Sequence, residues 1–372
     1  MRKAGGDIPG ERDLCSVPAF FPDATRGVVR TVDAADLLTA GIEGVVVNAY
    51  HLMTSPGLSV IESLGGVRRL MGWDGLVVSD SGGFQLLSLI HRNKSAGRVD
   101  SDGVTFYKKQ GSVRKAHIFT PEKSIQVQFG IGADIMFCLD DCPSPRAGEK
   151  EQDLCVERTI SWADRCKREH ARLSVERERS GLARSRLFAV IQGEDRKELR
   201  EKCAAELRSM GFDGYAFGGW PMDREGRLKR EIIGFTASLM PDGSPKFALG
   251  VGNPREIVEC AAMGYTMFDC VLPTRDARRG RIYVLDPDFA SGGSAAEGSI
   301  YDSFYVTEER YARDREPIDR SCDCRACRAH SRAYMHHLFA VGDELAHRLA
   351  TIHNLRTYSR LVGVLRERAG KA

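Results

Sequence analysis

Short apolar runs of strand length recur along the chain, with amphipathic stretches of helix length between them. The strand-like runs cover residues 44–48, 76–79, 134–139, 187–191, 215–217, 247–249, 267–268 and 280–285. Helical spacing of apolar positions predicts helices over about 33–40, 121–130, 148–175, 195–210, 226–240 and 254–263; in the fifth, Leu228, Ile232, Ile233 and Leu239 recur at helical intervals. This alternation is the pattern of a parallel sheet covered by helices, and eight runs predict a closed barrel.

Polar and glycine residues follow almost every run. After the first comes Asn48-Ala49-Tyr50-His51, after the second Asp80-Ser81-Gly82-Gly83-Phe84-Gln85, after the third Asp140-Asp141-Cys142, and after the fourth Gln192-Gly193-Glu194. Gly218-Gly219-Trp220-Pro221, Gly250-Val251-Gly252 and Asp269 follow the next three. Barrel enzymes build their sites at the C-terminal ends of all strands, whereas a doubly wound sheet gathers such residues at one switch point. The expectation is therefore an α/β protein, a TIM (β/α)8 barrel. Residues 92–117 are a charged insertion on the catalytic face, with hairpin-like alternation from Asp102 to Phe106 and a turn at Gly111-Ser112. Residues 290–299 are a small-residue linker, so the barrel is assigned to 1–289 and an appendage with C-terminal helices to 290–372.

Composition narrows the class without deciding the function. The 372 residues hold a barrel of about 250 plus an appendage. With 42% hydrophobic and 28% charged residues the composition is that of a soluble globular protein, not a disordered or membrane one. A net charge of +3 does not by itself indicate nucleic acid, but Arg275, Arg278, Arg279 and Arg281 follow Asp269 with only Asp276 against them. No apolar run approaches the roughly 20 residues of a membrane span, and residues 1–12 lack a signal-peptide core, so a cytoplasmic location away from membranes is expected. Eleven cysteines, dispersed except for one cluster, fit a reducing compartment with one metal site better than a disulfide framework.

That cluster is Cys322-Asp323-Cys324-Arg325-Ala326-Cys327, three thiols close enough for one ion, with zinc its natural occupant. Its sulfur-rich make-up is that of a structural site. By proximity the fourth ligand is open among His330, His336, His337, His347 and His353. Carboxylates end three runs, at Asp80, at Asp140 with Asp141, and at Asp269. Acids converging on one pocket raise each other's pKa and divide into proton carrier, nucleophile and substrate binder, the division that retaining glycosyl transfer uses. Asp141 is better read as a helix cap. The pairs Gly82-Gly83 and Gly218-Gly219 expose backbone polar groups, Gln192 offers a planar donor and acceptor, and Phe84 a stacking face, which together suit a flat heterocycle.

These residues together resemble the tRNA-guanine transglycosylase (queuine tRNA-ribosyltransferase) family, from Pro18-Ala19-Phe20 to about Leu361. The motifs that carry the resemblance are Ser79-Asp80-Ser81-Gly82-Gly83-Phe84-Gln85, Phe268-Asp269-Cys270-Val271-Leu272-Pro273-Thr274-Arg275, the three clustered cysteines, and Ser331-Arg332-Ala333-Tyr334-Met335-His336-His337-Leu338. The resemblance implies an α/β barrel with a zinc subdomain that exchanges guanine at the wobble position of tRNA for a 7-deazaguanine, queuine or its aminomethyl precursor, through a covalent ribosyl-aspartate. It implies Asp269 as nucleophile and Asp80 as general acid and base. Asp140, Gln192 and Gly219 would grip the base edge, Phe84 and Leu249 its faces, and Ser81 and Trp220 belong to segments around it. Cys322, Cys324, Cys327 and His353 would hold one structural zinc per chain. Arg275, Arg278 and Thr274 would meet the anticodon loop, and the acting form would be a homodimer. The chain departs from the common bacterial pattern in the run Trp220-Pro221-Met222-Asp223-Arg224, at Asp141, in a short N-terminal hairpin region and in the 290–299 linker. Two other readings use the same residues: a paralogue that modifies DNA or another RNA, and a non-catalytic tRNA-binding partner subunit, against which retention of both Asp269 and Asp80 argues.

Overall fold

A computed structural model describes residues 18–110, 113–181, 183–293 and 299–370. Eight parallel strands form the central sheet: β1 (Ala19–Pro22), β2 (Gly44–Asn48), β3 (Leu76–Asp80), β4 (Ile135–Phe137), β5 (Arg186–Ile191), β6 (Gly214–Phe217), β7 (Lys246–Ala248) and β8 (Met267–Cys270). Their spatial order is β1-β8-β7-β6-β5-β4-β3-β2. Just past β1 the chain joins the far edge, where Ala24 N–H donates to Val46 O at 2.7 Å and Asp23 bridges Val46 in parallel. The sheet is thereby a nearly closed barrel.

One expected strand is not in it. Arg281–Leu285 pairs antiparallel with Tyr301–Tyr305 outside the barrel, and its place is taken by β1, whose four residues are all buried. The β1 sequence, Ala-Phe-Phe-Pro, ends on a proline, a residue that demotes a run as a strand candidate.

Strand alternation sorts the core into two layers. Val45 and Val47 pack outward under the helices, whereas Val46, Phe21, Phe137, Phe188 and Phe247 fill the barrel interior. Glycine makes room for those rings: a Cβ on Gly44 would come within 2.6 Å of the Phe21 ring. The helices end where their sequences dictate. Pro121–Ile131 starts at the N-cap Thr120, whose hydroxyl accepts from Lys123 N–H, and stops at left-handed Gly132. Ala34–Thr39 opens on a capping box formed by Asp33 and Asp36.

The insertion is a three-stranded antiparallel sheet of Gly97–Asp100, Gly103–Gln110 and Val113–Phe119. Its expected turn at Gly111-Ser112 lies outside the described residues, as do 294–298 of the expected linker. Trp162 of the helix Glu149–Arg179 ties the sheet down by donating to Ser101 O at 2.9 Å. At the C-terminus, Arg325–Ala329 and Arg332–Val341 lead into the helix Glu344–Ala369, which packs back along the barrel. Among the described residues no helix is long and apolar enough to cross a membrane.

Candidate active site and metal centre

The C-terminal ends of the strands surround a cavity of about 340 Å³. Asp80 comes from the end of β3, Asp140 from the segment after β4, Gln192 from after β5, Gly218 and Gly219 from after β6, Leu249 and Gly250 from after β7, and Asp269 from β8. Strand ends are stiff mounts, so six separate stretches of sequence hold one constellation.

Each acid is anchored differently. Asp80 Oδ2 accepts from Asn48 Nδ2 at 3.0 Å and Gln85 Nε2 at 3.3 Å. Burial raises its pKa, opposed by those two bonds and by the Ser81 and Gly82 amides. Asp269 Oδ1 accepts from the Gly250 amide at 2.9 Å, and burial, with the charges of Asp80 and Asp23 adding, pushes its carboxyl up to about 7. Asp140 also rises to about 7, again chiefly through burial, with Asp80 and Asp141 adding to the rise while Gln192 Nε2, donating to its Oδ2 at 2.7 Å, opposes it. Two carboxyls, Asp140 and Asp269, are thus held near the point where a small change of surroundings decides their charge, and burial moves Asp80 in the same direction.

The Gln192 amide is spoken for on one side only. Its Nε2 serves Asp140, while the fully buried Oε1 has no partner among the described residues. A buried acceptor without a donor is costly unless a ligand or water supplies one. Phe84 and Trp220 close the mouth, their rings 5.3 Å apart and meeting edge-on, and Trp220 is pinned by its Nε1–H to Pro143 O at 3.2 Å. A flat, edge-polar molecule fits these walls.

A second cluster lies in the C-terminal region. The ligand atoms of Cys322, Cys324, Cys327 and His353 all lie within 4.8 Å of one another, and all four residues are buried. His353 Nδ1 sits 3.2 Å from Cys327 Sγ and 3.7 Å from Cys324 Sγ. A tetrahedral ion with such ligands spaces their atoms about 3.5–3.8 Å apart, so the group could hold one. His353 Nε2 donates to Tyr283 O at 2.8 Å, which leaves Nδ1 its lone pair, facing the thiols. Three of the other candidate histidines are engaged elsewhere: His336 Nδ1 lies 3.1 Å from Val306 O, His330 stacks on Tyr334, and His347 packs on Phe339.

A family model described as queuine tRNA-ribosyltransferase matches residues 6–370. Proteins named queuine tRNA-ribosyltransferase are similar throughout. One from Thermoanaerobacter pseudethanolicus is 36% identical over 97% of this chain and 88% of its own length. Another, from Nitrosospira multiformis, is 38% identical over 97% and 90%. A third, from Staphylococcus haemolyticus, is 35% identical over 94% and 84%. The chain belongs to the queuine tRNA-ribosyltransferase family.

In this family member the cavity brings together Asp80, Asp140, Gln192, Gly219, Phe84, Leu249, Trp220 and Asp269. Ser81 stands apart: it is buried behind the turn, its Oγ accepting from Gly83 N–H at 3.2 Å and its carbonyl accepting from Ser124 Oγ at 2.8 Å. Thr274 also differs from its expected surface role. It is 1% exposed, its hydroxyl donates to Val271 O at 3.1 Å, and its carbonyl accepts from Arg278 Nη1 at 2.9 Å. Arg275 is well exposed, and the Arg278 pKa is lowered by burial and by the charges of Arg30, Arg275 and Arg279, an array of cations beside the Asp269 strand end. Asp141 is buried and paired with Arg158 Nε at 2.5 Å.

Several supporting residues escaped the sequence reading. Arg200, 1% exposed, donates to the carbonyls of Glu194 at 2.7 Å and of Ile191 and Gly218 at 3.1 Å, and lies over the Phe217 ring. Asn354 accepts from Tyr283 N–H at 3.1 Å and donates to Pro273 O and Arg281 O, while Tyr358 OH donates to Gly252 O at 2.6 Å. The helix that carries His353 therefore also buttresses the segments on both sides of Asp269. An arginine inside the apolar stripe Leu199, Cys203, Ala204, Leu207 was the one available signal for Arg200.

Proposed function

We propose that this protein exchanges a guanine in tRNA for a 7-deazaguanine base through a covalent ribosyl-Asp269 intermediate. One observation carries the reading: Asp80 and Asp269, delivered by different strands, face a single cavity whose edges offer Asp140 and Gln192 and whose faces offer Phe84 and Leu249. In the first half-reaction the Asp269 carboxylate attacks the ribose anomeric carbon, the glycosidic bond breaks, and Asp80 gives the departing guanine its proton. In the second, Asp80 takes the proton from the incoming base, whose nitrogen displaces Asp269. The leaving and entering groups are chemically equivalent, so one proton carrier serves both steps. Asn48 and Gln85 hold the Asp80 carboxyl in place, and the Gly250 amide orients that of Asp269.

Arg275 and Arg278 then meet phosphates of the anticodon loop, where a cation cluster gives affinity without reading sequence. The metal is zinc. When bound it supplies charge balance for three thiolates and folds the C-terminal region, and it takes no part at the cavity. The acting form is a cytoplasmic homodimer. Incubation with radiolabelled guanine tests the reading: label enters tRNA and not duplex DNA. Label in DNA alone, or in neither, would overturn it.

A further inference from the structure

Behind the glycines of the cavity wall lies a carboxyl that nothing above employs. Glu194 is 7% exposed and has φ of +47°, a left-handed backbone that non-glycine residues adopt at a cost, so the fold holds this side chain in place. Its Oε2 lies 4.0 Å from Lys229 Nζ, an ion-pair contact beyond hydrogen-bond range, and its Oε1 has no donor among the described residues. Arg200 serves the Glu194 backbone carbonyl and not the carboxyl.

Gly219 is the window onto it. Its φ of +99° suits glycine, and a Cβ there would sit 3.0 Å from Glu194 Oε1, 3.5 Å from Arg200 Nη2, which is engaged by the Gly218 carbonyl, and 3.6 Å from Gln192 Oε1. Two buried oxygens without donors thus flank the same gap in the cavity wall, and acceptors so placed attract a group with several N–H donors while repelling another acceptor. We propose that Glu194 is a specificity-determining residue of the base site, whose carboxyl takes the N–H donors of an amino-bearing substituent on the bound base through the gap left by Gly219. The proposal rests on the preceding reading in placing a base in this cavity. Charged and titratable groups facing Glu194 are Lys229 from the segment after β6, Arg200 and Asp195 from the stretch after β5, and the Cys142 thiol from after β4. Burial moves Glu194 up to about 7, against the opposing charges of Lys229 and Arg200.

The test is calorimetric titration of the full chain, without tRNA, with 7-aminomethyl-7-deazaguanine and 7-cyano-7-deazaguanine. The wild type binds the amino base more tightly than the cyano base, by about ten- to a hundredfold, the effect of a hydrogen bond to a charged partner. Glu194→Gln and Glu194→Ala lower that ratio about tenfold or more. An unchanged ratio in Glu194→Gln, which keeps the shape and so the fold, overturns the proposal and assigns Oε1 to a buried water. Failure of the wild type to bind either base overturns it as well. Preserved discrimination without any guanine exchange into tRNA leaves this assignment standing and counts against the exchange reaction alone.

Discussion

Arg200→Met removes a buried side chain that ties the loops after β5 and β6 together. The substitution keeps the volume and deletes three hydrogen bonds, to the carbonyls of Glu194, Ile191 and Gly218. Ile191 O keeps the Gly218 amide as a donor at 2.9 Å, so two carbonyls are left without partners. A buried acceptor left unsatisfied costs about 1–3 kcal/mol, and the lost stacking of the guanidinium on Phe217 about 0.5–2 kcal/mol. Against this stands the relief of no longer burying a cation, also of order kcal/mol. The net expected loss is about 2–4 kcal/mol, a large share of the roughly 5–15 kcal/mol that holds a domain together. Urea denaturation measures it, and base titration of the same variant should show weaker binding, because Gly218 and Gly219 lose their anchor. Arg200→Lys, which keeps the charge but not the three-way fork, should fall between. A variant with unfolding free energy within about 0.5 kcal/mol of wild type and unchanged base affinity would refute the bracing role.

The raised carboxyls predict a pH signature. Asp269 has a folded pKa of about 7 against an ordinary value of 3.8, so between those limits the folded state keeps a proton that the unfolded chain has lost, and stability falls as pH rises through the window. Asp269→Asn carries no charge and should match wild type in melting temperature near pH 4 and exceed it above pH 7. The three-unit gap corresponds to about 4 kcal/mol as an upper bound, reduced to about 1–2 kcal/mol because the group opens onto the cavity. A melting difference equal at both pH values would contradict the burial argument. Cys324→Ser should lose about one equivalent of zinc per chain and melt lower, whereas His330→Ala keeps its metal. Full zinc content in the first variant would remove Cys324 from the ligand set. Trp220→Leu should widen the cavity mouth and shift affinity toward bases with larger 7-substituents, and an unaltered preference would show that Trp220 does not set the limit.

Much of this was legible before any coordinates. Acids and glycines after successive apolar runs placed the cavity, because strand ends of a barrel converge whatever the helices do. The three cysteines needed only their spacing. What escaped depends on distances no pattern encodes. Gly280–Leu285 looked like a barrel strand and β1, with its proline, did not, yet the first pairs with 301–305 outside the barrel and the second completes it. Thr274 and Ser81 carry the right chemistry in the right motifs, yet the helix and turn that contain them point their hydroxyls at backbone. His353 stood out from four neighbouring histidines by family resemblance, and its lone pair is set by the carbonyl of Tyr283, seventy residues earlier. Glu194 stayed invisible because a buried carboxyl at a loop looks the same in sequence as a solvated one.

The account turns on a covalent bond to Asp269. Wild-type protein mixed with tRNA, quenched in denaturant and digested with protease should yield an RNA-linked peptide that contains Asp269, and Asp269→Asn should yield none. An RNA–protein adduct of undiminished yield in Asp269→Asn, or one mapped to a different residue, would contradict it.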